Sequence, residues 1–492
     1  MALIPLKVQP GMFRNGTDYE QSNRWRDGSL VRWTEGSLRP VGGWNDFDAT
    51  GISGPPRGMH IWRDNSELVN IAVGTFSNLY HVSSAGAVSD ITPAGYTSGR
   101  QSAEAETGYG LGNYDIGTYN TPRPASGDFL PATTWTIDNF GEYMVACANS
   151  DGKLYEWQLN TGTPAAPITN APTGCTSLVV TEERFIFALG ADGEPRKIEW
   201  CDRENNTVWS PLATNEAGSI ELQTSGTIRC ATRVRGRTLI LTDQDAHMAT
   251  YQGPPYVYGF ERVGSACGTE APNSLVAVDQ FAFWVGSKGF FMFDGSTAKE
   301  MKCDVSDYVF RDITEEQISK LYGVHNSQFS EVWWFYPSDE SLENSRYVTY
   351  DYKDNIWSFG DIERTAGVDS GILKYPIWAD SSGDLYLHEF GFNHNGANVF
   401  IETGPISIGS GDTVMKVNEL IPDEGAQGEV TAKFKTRFYP NDTEREYGPY
   451  TMTSPTSLRF IGRQVRMRVE SNSNSDWRVG TMRIDARPGG KR

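Results

Sequence analysis

From about residue 55 onward, apolar and polar positions alternate in short runs that come in threes. Each set has an alternating strand, a second strand ending at a polar turn, and a third carrying aromatic or large aliphatic side chains. The sets read HIWRD / LVNIAVGT / SNLYHV (60–82), TTWTI / EYMVACANSDG / KLYEWQL (133–159), SLVV / RFIFALGADG / RKIEW (177–200) and TIRCATRV / RTLILTDQDA / HMATYQG (227–253). They continue with SLVAVDQ / FAFWVGSKG / FFMFDG (274–295), KLYGVHN / EVWWFYPSDE / RYVTYDYKDNIWSFG (320–360) and a degenerate PIWADSSG / DLYLHEFG (376–391). Their third strands are anchored at Tyr80, Tyr155, Ile198, Tyr251, Phe291, Tyr350 and Tyr386. Without insertions, the spacing is about the 40–50 residues of a four-stranded propeller blade. Isolated hairpins are marginal, whereas blades closed in a ring bury one another's faces. The pattern therefore predicts an all-β chain with a β-propeller of six or seven blades over 46–394; a pair of β-sandwiches is the alternative.

Two stretches interrupt the repeat. Residues 94–131 place Tyr109, Tyr114 and Tyr119 five apart beside glycines, a period that suits neither helix nor strand. The expectation is a long loop insertion whose tyrosines offer contact area to a partner, or a solvated loop. Residues 303–322 predict short helices: one capped by Asp304 or Ser306 and running to about Arg311, and one opened by a Thr314/Gln317 capping box with Ile318 and Leu321 on one face. Beyond 395 the repeat gives way to strands of a separate antiparallel domain. There, QVRMRV (464–469) sets Arg466 and Arg468 on one face against Val465, Met467 and Val469 on the other. The strand-like residues 1–45 are expected to join it as a platform, because a ring brings chain entry and exit together.

Composition adds a charge asymmetry. The chain carries 43 Lys/Arg and 62 Asp/Glu, a net −19. Residues 431–492 hold 13 of those bases but only 6 of the acids, leaving 30 bases against 56 acids before them. An acidic body argues against holding nucleic acid by counterion release, and the basic end reads as an interaction face or a solvated edge. No secretory signal or apolar run long enough for a membrane helix is visible, so synthesis in the cytoplasm is expected. The six cysteines never pair as CxxC and are expected to be buried thiols.

No GxSxG, HExxH or GxxxxGK[ST] occurs. His388 and His394 in HEFGFNH match no metal spacing. A glycosidase-type propeller would need facing carboxylates, such as Glu199 with Asp351. These observations favour a non-enzyme with no cofactor and no metal.

The stretches PGMFRNGTDYEQSNRWRDGSLVRWTEGSLRPVGGW (10–44), DVSDYVFRDITEEQISKLYGVHNSQFSEVWWFYP (304–337) and EREYGPYTMTSPTSLRFIGRQVRMRVESNSNSDWRVGTMRID (444–485) resemble the tail hub or nozzle proteins of short-tailed phages, the packaged-DNA stabilisation proteins. The resemblance implies a virion tail protein assembled in the bacterial cytoplasm as a hexameric ring below the portal and adaptor. Such a ring extends the DNA channel, retains packaged DNA, passes double-stranded DNA without binding it specifically and anchors fibres, spikes or a plug. On this reading Arg463, Arg466, Arg468 and Arg478 are candidates for an assembly face, and Tyr109, Tyr114 and Tyr119 for loop contacts. The alternative is a carbohydrate-binding or glycosidase-type propeller for receptor recognition.

Overall fold

Seven four-stranded antiparallel sheets follow one another along the chain, over 56–90, 135–167, 177–221, 228–265, 276–300, 322–361 and 366–388. The last of these takes its outer strand from Trp44–Asp46. A computed structural model describes residues 3–108, 123–407, 413–439 and 442–489. The innermost strands abut in ring order, and Ala366–Val368 of the seventh sheet packs against Pro56–Arg63 of the first. The chain is thus a closed seven-bladed β-propeller with an added β-domain. Every aromatic or aliphatic anchor, from Tyr80 to Tyr386, lies on the third strand of its blade. Neighbouring blades meet closely. A Cβ on Gly58 or Gly74 of blade 1 would stand 2.5 or 2.4 Å from Trp135 of blade 2, so only glycine lets that indole through. Trp135 then donates its Nε1–H to the Thr75 carbonyl at 2.6 Å.

The ring closes through a strand from far upstream. Trp44, Asn45 and Asp46 pair with His388, Leu387 and Tyr386. This moves the expected boundary, since Trp44–Asp46 belongs to blade 7 and not to the platform. The platform itself is a two-sheet sandwich built from both chain ends, as the closed ring requires. One sheet orders Leu3–Pro5, Arg483–Pro488, Met415–Ile421 and Thr456–Gly462. The other runs Gln9–Met12, Arg24–Ser29, Phe400–Thr403, Gln464–Ser471, Val430–Arg437 and Arg445–Thr451. Phe434 and Phe460 meet between the sheets with ring centroids 4.9 Å apart. The strand Arg24–Ser29 lies against the outermost strand of blade 6, Ile356–Asp361.

The first insertion departs from expectation, and the second holds the two short helices expected but with other capping groups. The base of 94–131 is a ribbon in which Glu104–Gly108 pairs with Arg123–Leu130, with a register shift between Ala105 and Thr107. Pairing satisfies the backbone there, so the glycine-rich composition did not exclude strands. Ser306–Asp312 is helical and Glu315–Lys320 is a 3-10 helix, but neither is capped by the side chain at its own N-cap position; Asn15 Oδ1 accepts from the Asp307 N–H at 3.0 Å. Asp304 instead binds Arg24 at 3.0 Å, Thr314 Oγ1 donates to the Ser338 carbonyl at 2.6 Å, and Gln317 turns to the insertion. Tertiary partners have taken the capping groups. Ile318 is half-buried and Leu321 is buried.

The hairpin Val31–Thr34/Ser37–Pro40 drives one charge into the junction between platform and ring. Arg32 is 4% exposed and binds Glu331 of blade 6 at 2.8 Å and Glu389, after blade 7, at 2.6 Å. Its guanidinium also covers the Phe329 ring at 3.6 Å. Trp333 Nε1 donates to Glu331, while Asn326 Nδ2 and the Gly42 N–H donate to Glu389, so neither carboxylate is left bare. Burial alone would lower the Arg32 pKa; the two carboxylates outweigh it and hold the pKa above its ordinary value. Removing one member of such a set strands the others. Arg32→Ala is expected to lower the unfolding free energy by about 3–5 kcal/mol in denaturant titration; a loss typical of an exposed ion pair, under about 1 kcal/mol, would show that the node does not hold the junction.

Candidate functional site

Three segments distant in sequence meet beside blade 6. The N-terminal segment reaches the helical insert through Arg24–Asp304, the Arg14 N–H on the Asp304 carbonyl (2.9 Å), and Asn15 Nδ2 on the Cys303 carbonyl (2.8 Å). The same segment reaches the C-terminal strands through Asp18, which binds Arg437 at 2.7 Å and Arg466 at 3.1 Å besides Arg26 at 3.0 Å. Arg39 adds a pair with Asp476 at 2.8 Å. Burial pushes the Asp18 pKa up, but the hydrogen bond from Arg437 and the charges of Arg26 and Arg466 prevail and lower it. Between platform and insert lies a cavity of about 600 Å³ lined by Arg14, Arg26, Asp307, Tyr308, Arg311 and Asp312 among others.

The four arginines expected at an assembly face separate here. Arg466 and Arg468 do share one face of their strand, with Val465, Met467 and Val469 buried on the other. That face is occupied, however. Arg466 also binds Glu444 at 3.0 Å, and Arg468 binds Glu470 at 2.6 Å and covers the Phe400 ring at 3.5 Å. Arg463 is half-buried, with its guanidinium 5.2 Å from the Tyr439 ring centroid. Arg478 is exposed, and its carbonyl accepts from the Gly425 N–H at 2.9 Å. Sequence reasoning missed Lys416, Arg459, Arg483 and Arg487, which are exposed on the outer platform sheet. The signal was there in SLRFIG: Ser457, Arg459 and Ile461 alternate with buried residues. Tyr109, Tyr114 and Tyr119 lie outside the described residues.

At the end of the ring where the innermost strands begin, buried charges hold the base of the insertion. Arg57 Nη2 binds Glu343 at 2.6 Å and donates to the Gln101 carbonyl at 3.3 Å. Lys320 Nζ, wholly buried, donates to Ser102 Oγ (3.0 Å), the Leu342 carbonyl (2.7 Å) and Glu343 (3.1 Å). Gln317 accepts from the Ala103 N–H and donates to the Ala103 carbonyl, the pattern a strand neighbour would supply. Burial and the charge of Arg57 lower the Lys320 pKa to about 8 against the pull of Glu343.

Near the opposite ends of the innermost strands, Asp138 binds Arg233 at 3.0 Å and accepts from the Val180 N–H, with His60 on Asn139 beside it. Glu199 and Asp351 lie on third strands, away from the axis, and so do not form a facing pair. Glu199 binds Lys197 at 2.9 Å, and Asp351 accepts the N–H groups of its own turn. His388 stacks on Trp378 at 4.0 Å and accepts from Arg364, while His394 donates to the Val41 carbonyl. All six cysteines are buried free thiols.

No protein-family model and no curated protein matches the chain. Solved structures do. Virginiamycin B lyase from Staphylococcus aureus aligns with 9% identity and a TM-score of 0.42 over 70% of this chain and 98% of its own. BamB from Moraxella catarrhalis aligns with 8% identity and a TM-score of 0.38 over 74% and 95%. The N-terminal domain of Nup159 aligns with 10% identity and a TM-score of 0.38 over 74% and 98%.

Two outcomes test these contacts. Asp18→Asn leaves Arg26, Arg437 and Arg466 crowded without their shared carboxylate, and is expected to lower unfolding free energy by about 1–3 kcal/mol in denaturant titration; an unchanged midpoint refutes the hub. For Lys320, the folded state gives up its proton near pH 8 and the unfolded chain only near 10.5. The unfolded state therefore holds more protons between those values, and stability rises with pH across that window. Relative to Lys320→Met, the unmodified chain should gain stability from pH 8 to 10.5; a difference that stays flat would show Lys320 to be unshifted.

Proposed function

We propose that this chain is a structural, non-catalytic subunit of a short-tailed phage tail nozzle, assembling as a ring of about six copies that extends the DNA channel. One observation carries the reading. The three stretches that resemble the nozzle family, 10–44, 304–337 and 444–485, are far apart in sequence yet form one contiguous unit, joined by Arg24–Asp304, Asp18–Arg466 and Arg39–Asp476. A module serving as a surface for neighbours would be built this way, with the propeller beside it as a body. The charge agrees: 30 bases against 56 acids before residue 431 repel phosphate, which keeps DNA transit free of tight contacts. On this reading the insertion, its base anchored through Lys320 and Arg57, is the segment offered to a gate, fibre or plug.

The experiment is the mass of the purified chain. Native mass spectrometry and electron microscopy should find closed rings of about six 54.6 kDa copies. A monomer at every accessible concentration, above all one with affinity for glycans, would overturn the nozzle reading in favour of a receptor-binding propeller.

A further inference from the structure

The outer sheet of the platform has a buried face and an opposite one that is exposed at its cations and aliphatics but covered at Asp485. Val417, Phe460, Ile484 and Ala486 point inward. In register on the opposite face, Lys416 lies between Ile461 and Arg487, with Arg459 and Arg483 nearby on the same side. Ile461 is 47% exposed and Leu3, on the adjoining strand, 42%. Among the described residues only Arg487 of the four cations has an ion-pair partner, Asp485 at 3.4 Å. The sheet ends on Thr456–Gly462, whose far edge has no strand beside it among the described residues. A cationic sheet face carrying exposed aliphatics and an open edge is a surface that needs a cover.

The same chain carries a surface of matching character. Where the insertion leaves the ring, Gln317 holds Ala103 and Thr314 holds Ser338. These contacts gather Glu104, Glu315, Glu316, Asp339 and Glu340, all exposed and without an ion-pair partner among the described residues. Leu342 at 64% and Leu130 at 39% exposure lie beside them. The two surfaces do not meet within one chain. The inner platform sheet stands between them, its ionic face toward the insert through Arg24–Asp304 and its apolar face toward the outer sheet through Phe434–Phe460.

We propose that the cationic face of the outer platform sheet seats a second copy of this chain, through the carboxylates and leucines at the foot of that copy's insertion. This rests on the ring reading given above and names the surfaces that make the ring. A contact between two different patches repeats head to tail, and such contacts close into rings when the rotation allows. Nucleic acid is the poorer occupant, because the half-buried Glu419 interrupts the cations and Leu3 and Ile461 would gain nothing from phosphate.

The test uses the full chain in three forms: unmodified, K416E/R459E/R483E, and E315K/E316K/D339K/E340K. Each is followed by native mass spectrometry and light scattering over a concentration series, with thermal unfolding as a check on folding. Both variants should need roughly tenfold or more protein to assemble by half. Mixed in equal amounts they should recover the unmodified assembly, because each reversed surface now matches the other variant's. Should a reversal disturb folding, the neutral set K416S/R459S/R483S serves instead and should weaken assembly by a smaller factor. Variants that assemble like the unmodified chain, or a mixture that recovers nothing, overturn this interface while leaving the ring. An unmodified chain that never assembles overturns the ring itself. A short DNA duplex bound by the unmodified chain and released by K416E/R459E/R483E, with assembly unaffected, would assign the face to nucleic acid.

Discussion

A single buried guanidinium fastens the two halves of this molecule. Arg32 leaves the platform's hairpin and ends between Glu331 of blade 6 and Glu389, which follows the third strand of blade 7. Three charges removed from water must be matched or the fold cannot hold them. Here Trp333, Asn326 and the Gly42 amide complete the match. Everything else about the junction follows from where that charge must sit. The hairpin is held against blade 6, the strand after it is delivered to blade 7, and the platform sheets are stacked alongside.

Such an arrangement makes specificity from polar contacts and cohesion from apolar ones. The ring coheres through indoles and aliphatic side chains packed between blades, contacts that would tolerate several neighbouring positions. The platform is pinned to the ring by ion pairs that tolerate one, Arg32 with its two glutamates and Arg24 with Asp304, while Asp18 and its three arginines tie the platform's own N- and C-terminal segments together. The anchored insertion repeats the logic, with Lys320 and Arg57 fixing its base by charge where little apolar area is available.

The ring was legible because period-2 alternation is a property of each strand, and the third strands announce themselves by their aromatics. All seven anchors could be placed from residues alone. The blade count waited on Trp44–Asp46, since no local pattern says that a three-residue strand will pair some 340 positions downstream with His388. The helix caps misled for a similar reason: Asp304 and Gln317 had the right chemistry for a cap but met better partners across the fold. The arginines of QVRMRV show the limit most clearly. Alternation separates the two faces of a strand, but in a sandwich beside a third body both faces can be covered. Arg466 was read correctly as opposite to Val465 and Met467, yet its outward side meets Asp18 and Glu444. The truly bare cations, Lys416 and Arg459, sit one layer further out.

The strand Trp44–Asp46 also fixes an order of events during synthesis. It emerges early from the ribosome, and its partner strand, Leu385–His388, emerges only after six further blades have been translated. Until then the first 43 residues have only the pairings they make among themselves, and Trp44 lacks its strand partner. Contacts of such sequence separation form late and slowly. A chain that stops before Leu385–His388 keeps an open ring and lacks every platform strand from Phe400–Thr403 onward. The seam therefore ties closure of the ring to the last blade rather than to the first, so the ring closes from its end and not from its beginning.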